Sequence, residues 1–171
     1  MMIEFIKGTK MAIVWTLLRI WLGFQWIEAG YYKIKQPGFD AGGFIQGAIA
    51  SANGDSPAVQ GWYASFLEKV ALPNIDFFNI LIPWGEFLVG LGLILGLATI
   101  PALIAGAFMN VNFIMAGVGL YSLDTKLFAV AMILLLIGKT RYYYGLDRFA
   151  IPYIKAFLHK KDVANEIKVS A

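Results

Sequence analysis

The chain has 171 residues, 59% of them hydrophobic and 15% charged, with a net charge of +3 and a mean hydropathy of +0.67, a balance far from that of a soluble domain. It holds no cysteine and a single histidine, His159, which excludes thiol–disulfide exchange, thiolate-held iron–sulfur clusters and paired-histidine haem or metal sites supplied by this chain. The basic residues gather at the chain ends beside apolar runs, so they read as membrane-topology signals and not as contacts to nucleic acid.

The first apolar run, Met11 to Tyr32, follows Lys7 and Lys10. It is too long for the apolar part of a secretory signal, contains Arg19 and Glu28, and lacks a small-x-small cleavage site, so it predicts a retained helix over about residues 11–32. The stretch 33–76 is slightly acidic and is punctuated by Gly42-Gly43 and by Asn53-Gly54-Asp55-Ser56-Pro57. Between these breaks Phe39, Phe44, Ile45, Trp62, Tyr63, Phe66, Leu67 and Val70 recur at roughly helical spacing, which predicts two short helices forming a lid over the outer face.

From Ile80 to Val118 the only charged residue is Glu86, and that length is roughly twice what one span requires. A break at Gly96 to Pro101 divides it into helices over about 77–97 and 101–120, because proline suits a first helical turn and the residue before it avoids helix. Pro83 predicts a kink in the first of the two. A fourth helix over about 126–144 ends in Lys139, Arg141 and the trio Tyr142, Tyr143, Tyr144, an aromatic belt with positive anchors. The basic tail, 145–171, carries Lys155, Lys160, Lys161 and Lys168 among Ile154, Phe157 and Leu158. A surface-lying amphipathic helix and a solvated tail are both open for it. The expected fold is therefore all-α: one integral membrane domain, a four-helix bundle with a long, partly helical extracytoplasmic loop between helices 1 and 2. Charge asymmetry places both termini in the cytoplasm.

Along the first helix Arg19, Gly23, Trp26, Gly30 and Lys33 form one stripe, and an arginine inside a span requires an acidic partner or a wet cavity. Aligning helix midpoints makes Glu86 its partner, with Asn110 and Asn112 at the centre of the third helix and no charged or amide residue in the middle of the fourth. Two readings of this cluster stand side by side. In one, an Arg19–Glu86 pair and the asparagines hold the helices together. In the other, Arg19 and Glu86 are the reacting groups of a cavity for a polar-headed, lipid-soluble molecule such as a quinone, lined also by Trp26, Lys33, Trp84, Asn110 and Asn112. Gln25 and Glu28 lie higher on the first helix, as interfacial groups or as the mouth of that cavity.

Several motifs taken together resemble the DoxX/DoxD-like family of small membrane proteins. They are Leu18-Arg19-Ile20-x-x-Gly23 with Gly30-x-x-Lys33, Glu86 with Gly90-Leu91-Gly92-Leu93-Ile94-Leu95-Gly96, Asn110-Val111-Asn112-Phe113-x-x-Ala116-Gly117, and Tyr144-Gly145-Leu146-Asp147-Arg148 followed by Ile151-Pro152. The resemblance is nearest to the branch of thiosulfate:quinone oxidoreductase small subunits. It implies a four-helix protein of a bacterial or archaeal cell membrane and a quinone-interacting or accessory subunit of an oxidoreductase. The chain departs from that branch around Tyr121-Ser122-Leu123-Asp124, where an Asn-Pro would be expected, which weakens thiosulfate as the electron donor. The partners expected are the bilayer, a quinone, another oxidoreductase subunit or a second copy of the chain. The alternative is a non-enzymatic scaffold that recruits a soluble redox or stress-response partner.

Overall fold

Nothing between Met11 and Lys35 breaks a helix, and in this computed structural model residues Thr9–Lys35 form one helix, α1. The structure describes residues 8–53, 56–137 and 144–157. The basic residues Lys139 and Arg141, the rings of Tyr142 and Tyr143, and His159, Lys160, Lys161 and Lys168 lie outside them. α1 stops where Pro37 and Gly38 follow, the latter at φ 72°, a conformation that glycine adopts without steric cost.

The lid predicted between the first two long helices is helical. α2 covers Gly42–Ala50, and Asp40 Oδ1 accepts from the Gly42 N–H at its start, at 2.9 Å. α3 covers Gly61–Phe66. It does not end in a loop: the backbone passes through a π-turn at Leu67–Ala71 and a 3-10 turn at Leu72–Asn74 directly into α4, Ile75–Leu95. Pro73 sits in the 3-10 turn, where its missing N–H removes one bond of the regular ladder. Lid and bundle thus share one helical rod.

The break expected at 96–101 is a left-handed turn. Gly96 (φ 62°) and Ala98 (φ 51°) both take positive φ, and Gly96 N–H returns to Gly92 O as a C-cap. α5, Thr99–Met115, follows and ends near Gly117, at φ 95°. α6 covers Leu123–Ile137. Residues 147–157 are helical again.

α1, α4, α5 and α6 pack in that order, and α6 returns to α1 to close the ring. The α1–α4 seam is the tightest. A Cβ at Gly30 would lie 2.5 Å from Phe87 N and 2.7 Å from Pro83 O, and one at Gly90 2.5 Å from Ile27 N, so only glycine lets these backbones meet. Leu22, Trp26, Leu93, Leu103, Leu127 and Leu134 fill the bundle, while Ile45, Val59, Tyr63 and Leu67 form a second core under the lid. The fold is all-α among the described residues. One of its helical stretches, the 35-residue Gly61–Leu95, is long and apolar enough to cross a membrane, and Thr99–Met115 is apolar but shorter.

Candidate functional site

The register of the α1–α4 seam decides which polar groups meet. Gly30 faces Pro83 and Phe87, Gly23 faces Gly90 and Ile94, and Gly96 faces Arg19. Glu86 is therefore level with Ala29, while Arg19 lies ten residues away along α1, about 15 Å at 1.5 Å per residue. The pair expected from helix midpoints does not form. The two helices are staggered, and their midpoints are not at one level.

Lys33 takes the place assigned to Arg19. Its ammonium donates to Glu86 Oε1 at 2.5 Å and stands 5.8 Å from the centre of the Phe113 ring. The two partners differ in access: Glu86 is 1% exposed, whereas the Lys33 side chain keeps 30%. Glu86 Oε2 is buried without a hydrogen-bond partner, so half of the carboxylate's accepting capacity stays unused.

The pair faces a cavity of about 320 Å³ enclosed by α1, α4, α5, α6 and the beginning of the lid. Gln25, Trp26 and Ala29 contribute from α1, Phe39, Asp40, Ala41 and Phe44 from the lid, Ile82 from α4, Phe113 from α5, and Leu123, Asp124 and Leu127 from α6. Three carboxylates, Asp40, Glu86 and Asp124, thus share a space with one lysine. Among the described residues no group of three such side chains stands close enough to hold a metal ion. Asp40 is engaged elsewhere, accepting from Asn79 Nδ2 at 3.2 Å as well as from Gly42. Asn79 Oδ1 in turn accepts from Ala41 N–H at 2.8 Å. This exchange fastens the lid to α4 at the rim of the cavity.

The remaining expected residues divide among three places. Asn110 is fully buried, and neither its Oδ1 nor its Nδ2 has a partner. Gly85 faces Met109, and in this antiparallel register Asn110 stands opposite Trp84, two residues or about 3 Å along α4 from Glu86. Trp26, also buried, turns its unpartnered indole N–H toward Gly106. Asn112 belongs to the lid instead: its Oδ1 and its backbone carbonyl each accept from the Tyr63 hydroxyl at 3.1 Å. Trp84 is half exposed, edge-on to Phe87 and outside the cavity wall. Glu28 is exposed on α1, while Gln25 lines the cavity.

Arg19 anchors the opposite end of the bundle. It is buried beneath Gly96 and Gly145 and donates through Nη2 to Tyr144 O at 2.6 Å. Asp147 accepts the N–H groups of Ala98 and Thr99 at 2.8 and 2.9 Å, capping α5 from a residue 48 positions further on. The Leu146 and Asp147 N–H groups donate to Leu95 O and Gly96 O. The Tyr144-Gly145-Leu146-Asp147 motif is thus a latch across the α4–α5 turn.

Sequence reasoning missed Asp40, Asn79, Tyr63, Asp124 and Asp147. Asp124 carried a readable signal, an acid in the first turn of α6 after Ser122, whose Oγ accepts the Thr125 N–H at 3.3 Å. The others act through contacts distant in sequence.

A family model described as DoxX matches residues 14–119, from the start of the bundle face of α1 to the end of α5. Comparison with curated proteins and with solved structures gives no match.

Proposed function

The chain belongs to the DoxX family of membrane-associated proteins, and from that premise we propose that it is a multi-pass protein whose Lys33–Glu86 cavity receives the polar head of a lipid-soluble quinone. In this reading α1, α4, α5 and α6 each cross the membrane of a bacterial or archaeal cell, the lid lies outside and both termini lie in the cytoplasm, following the bias of lysine and arginine. The chain serves as the quinone-interacting or accessory subunit of an oxidoreductase.

The observation that carries the proposal is the buried Glu86 carboxylate, paired on one oxygen, unpartnered on the other, and set in the wall of a cavity that is otherwise largely aromatic and aliphatic. A charge so buried is costly unless it is fully paired, and Lys33 pairs only one of the two oxygens. In this reading a quinone ring stacks against aromatic residues of the cavity wall, Phe39, Phe44 and Phe113, and the Lys33 ammonium donates to a ring oxygen. Reduction to the quinol takes up two electrons and two protons. The electrons come from a redox-active partner subunit, since this chain has no cysteine to hold a cluster. Glu86, relayed with Asp124, passes the protons.

Native mass spectrometry of the protein released from lipid nanodiscs tests this. A retained quinone, lost in Lys33→Met and in Glu86→Gln, is expected. Wild-type protein free of quinone but bound to another protein would sink the reading in favour of a docking scaffold.

A further inference from the structure

A second cavity, about 310 Å³, lies between the lid and the helices α4 and α5. Phe44, Ile82 and Phe113 line both it and the Lys33–Glu86 cavity. Phe44 and Phe113 meet edge to face, with ring centres 6.1 Å apart. The two spaces therefore share a wall to which these three apolar side chains belong.

Their chemistry is opposite. The second cavity is lined by aliphatic and aromatic groups except for Tyr63 and Asn112. Those two occupy each other: the tyrosine hydroxyl donates to the asparagine, and Asn112 Nδ2 donates to Phe108 O at 2.8 Å. Little polar capacity remains to hold water, so the space suits an apolar occupant. Its outer margin carries Leu81 and Phe108, both strongly exposed. They continue into the exposed apolar faces of α4 (Ile80, Trp84) and α5 (Ile104). The mouth thus opens sideways, toward where hydrocarbon would be, and not toward the lid's outer surface.

We propose that this cavity houses the hydrocarbon chain of a bilayer-borne amphiphile whose head occupies the Lys33–Glu86 cavity. Entry is lateral, between α4 and α5 beneath the lid, and the Phe44–Phe113 contact parts to let the chain join its head. The proposal uses the head-group reading only to say where the chain begins. Taking the ~30 Å³ of a liquid water for one methylene, the space accommodates about ten chain carbons, so a longer chain leaves its remainder in the bilayer.

Photolabelling in lipid nanodiscs tests the idea with two probes: a fatty acid and a quinone, each carrying a diazirine on its chain. Both should label peptides containing Leu67, Ala71 or Met109. Labelling there should fall by about tenfold when Ala116→Phe fills the space, with Ala71→Leu as a second variant and elution as a monodisperse species as the folding control. Labels confined to the exposed faces around Ile80, Leu88 and Leu95 in the wild-type protein would overturn the proposal, whatever the variants do. Lys33→Met separates the two readings. If the quinone probe labels no better than the fatty acid, and Lys33→Met changes neither, the head-group reading fails while the chain site stands.

Discussion

Lys33 and Glu86 form an ion pair in which the acid is sealed and the base is not. Removing either partner therefore has unequal consequences. Lys33→Met leaves a buried carboxylate without its counter-charge and should cost about 3 kcal/mol. Glu86→Gln releases an ammonium that can turn toward the cavity and should cost about 1 kcal/mol. The double variant should recover most of the Lys33→Met loss. Thermal unfolding of the four proteins in nanodiscs measures the cycle, and equal losses for both single variants would contradict the asymmetry.

The α1–α4 seam admits no side chain at Gly30 or Gly90, because the atoms in the way are backbone. Gly30→Ala and Gly90→Ala should each destabilise by about 1–3 kcal/mol by forcing the helices apart. Nothing lies within 4 Å of a Cβ at Gly43, and Gly43→Ala inside α2 should stabilise slightly, by up to about 1 kcal/mol. Melting temperatures of the three variants give the comparison.

Asp147 caps α5 with both carboxylate oxygens. Asp147→Ala should leave two N–H groups without acceptors at the α5 start and cost about 1–2 kcal/mol. Hydrogen exchange should accelerate first at Ala98 and Thr99, and Asp147→Asn should restore part of the protection. Uniform acceleration over the whole bundle would show the residue acting otherwise.

The Tyr63 hydroxyl bridges the lid to α5. Tyr63→Phe should weaken this attachment by about 1 kcal/mol, raising exchange in α3 while leaving α1 unchanged. Asn79→Ala, which cuts the other fastening, should act on Ala41 and Gly42 instead.

Much of the architecture was legible because it rests on local chemistry. The Gly96 to Pro101 segment announced a break, and the spacing of Phe44, Ile45, Tyr63 and Leu67 announced a helical lid. The candidate site was legible in composition but not in pairing. Lys33, Trp26 and Glu86, three of the expected residues, line one cavity, and Asn110 does not; Arg19 was matched to Glu86 by assuming that two helices of similar length align at their centres. They do not, because Gly30 meets Phe87 and Gly23 meets Ile94, and only the packed seam specifies that stagger. Asp147 lay inside a motif whose letters were visible, but its role depends on a turn 48 residues earlier in the chain.

The continuous helical backbone over Gly61–Leu95 has a mechanical corollary. A cover joined to the bundle by a flexible strand would swing independently of it. This one is cantilevered from the same beam that carries Glu86: α3, the π-turn and α4 run on without a loop, so no hinge of free chain stands between the cover and the helix of the buried carboxylate.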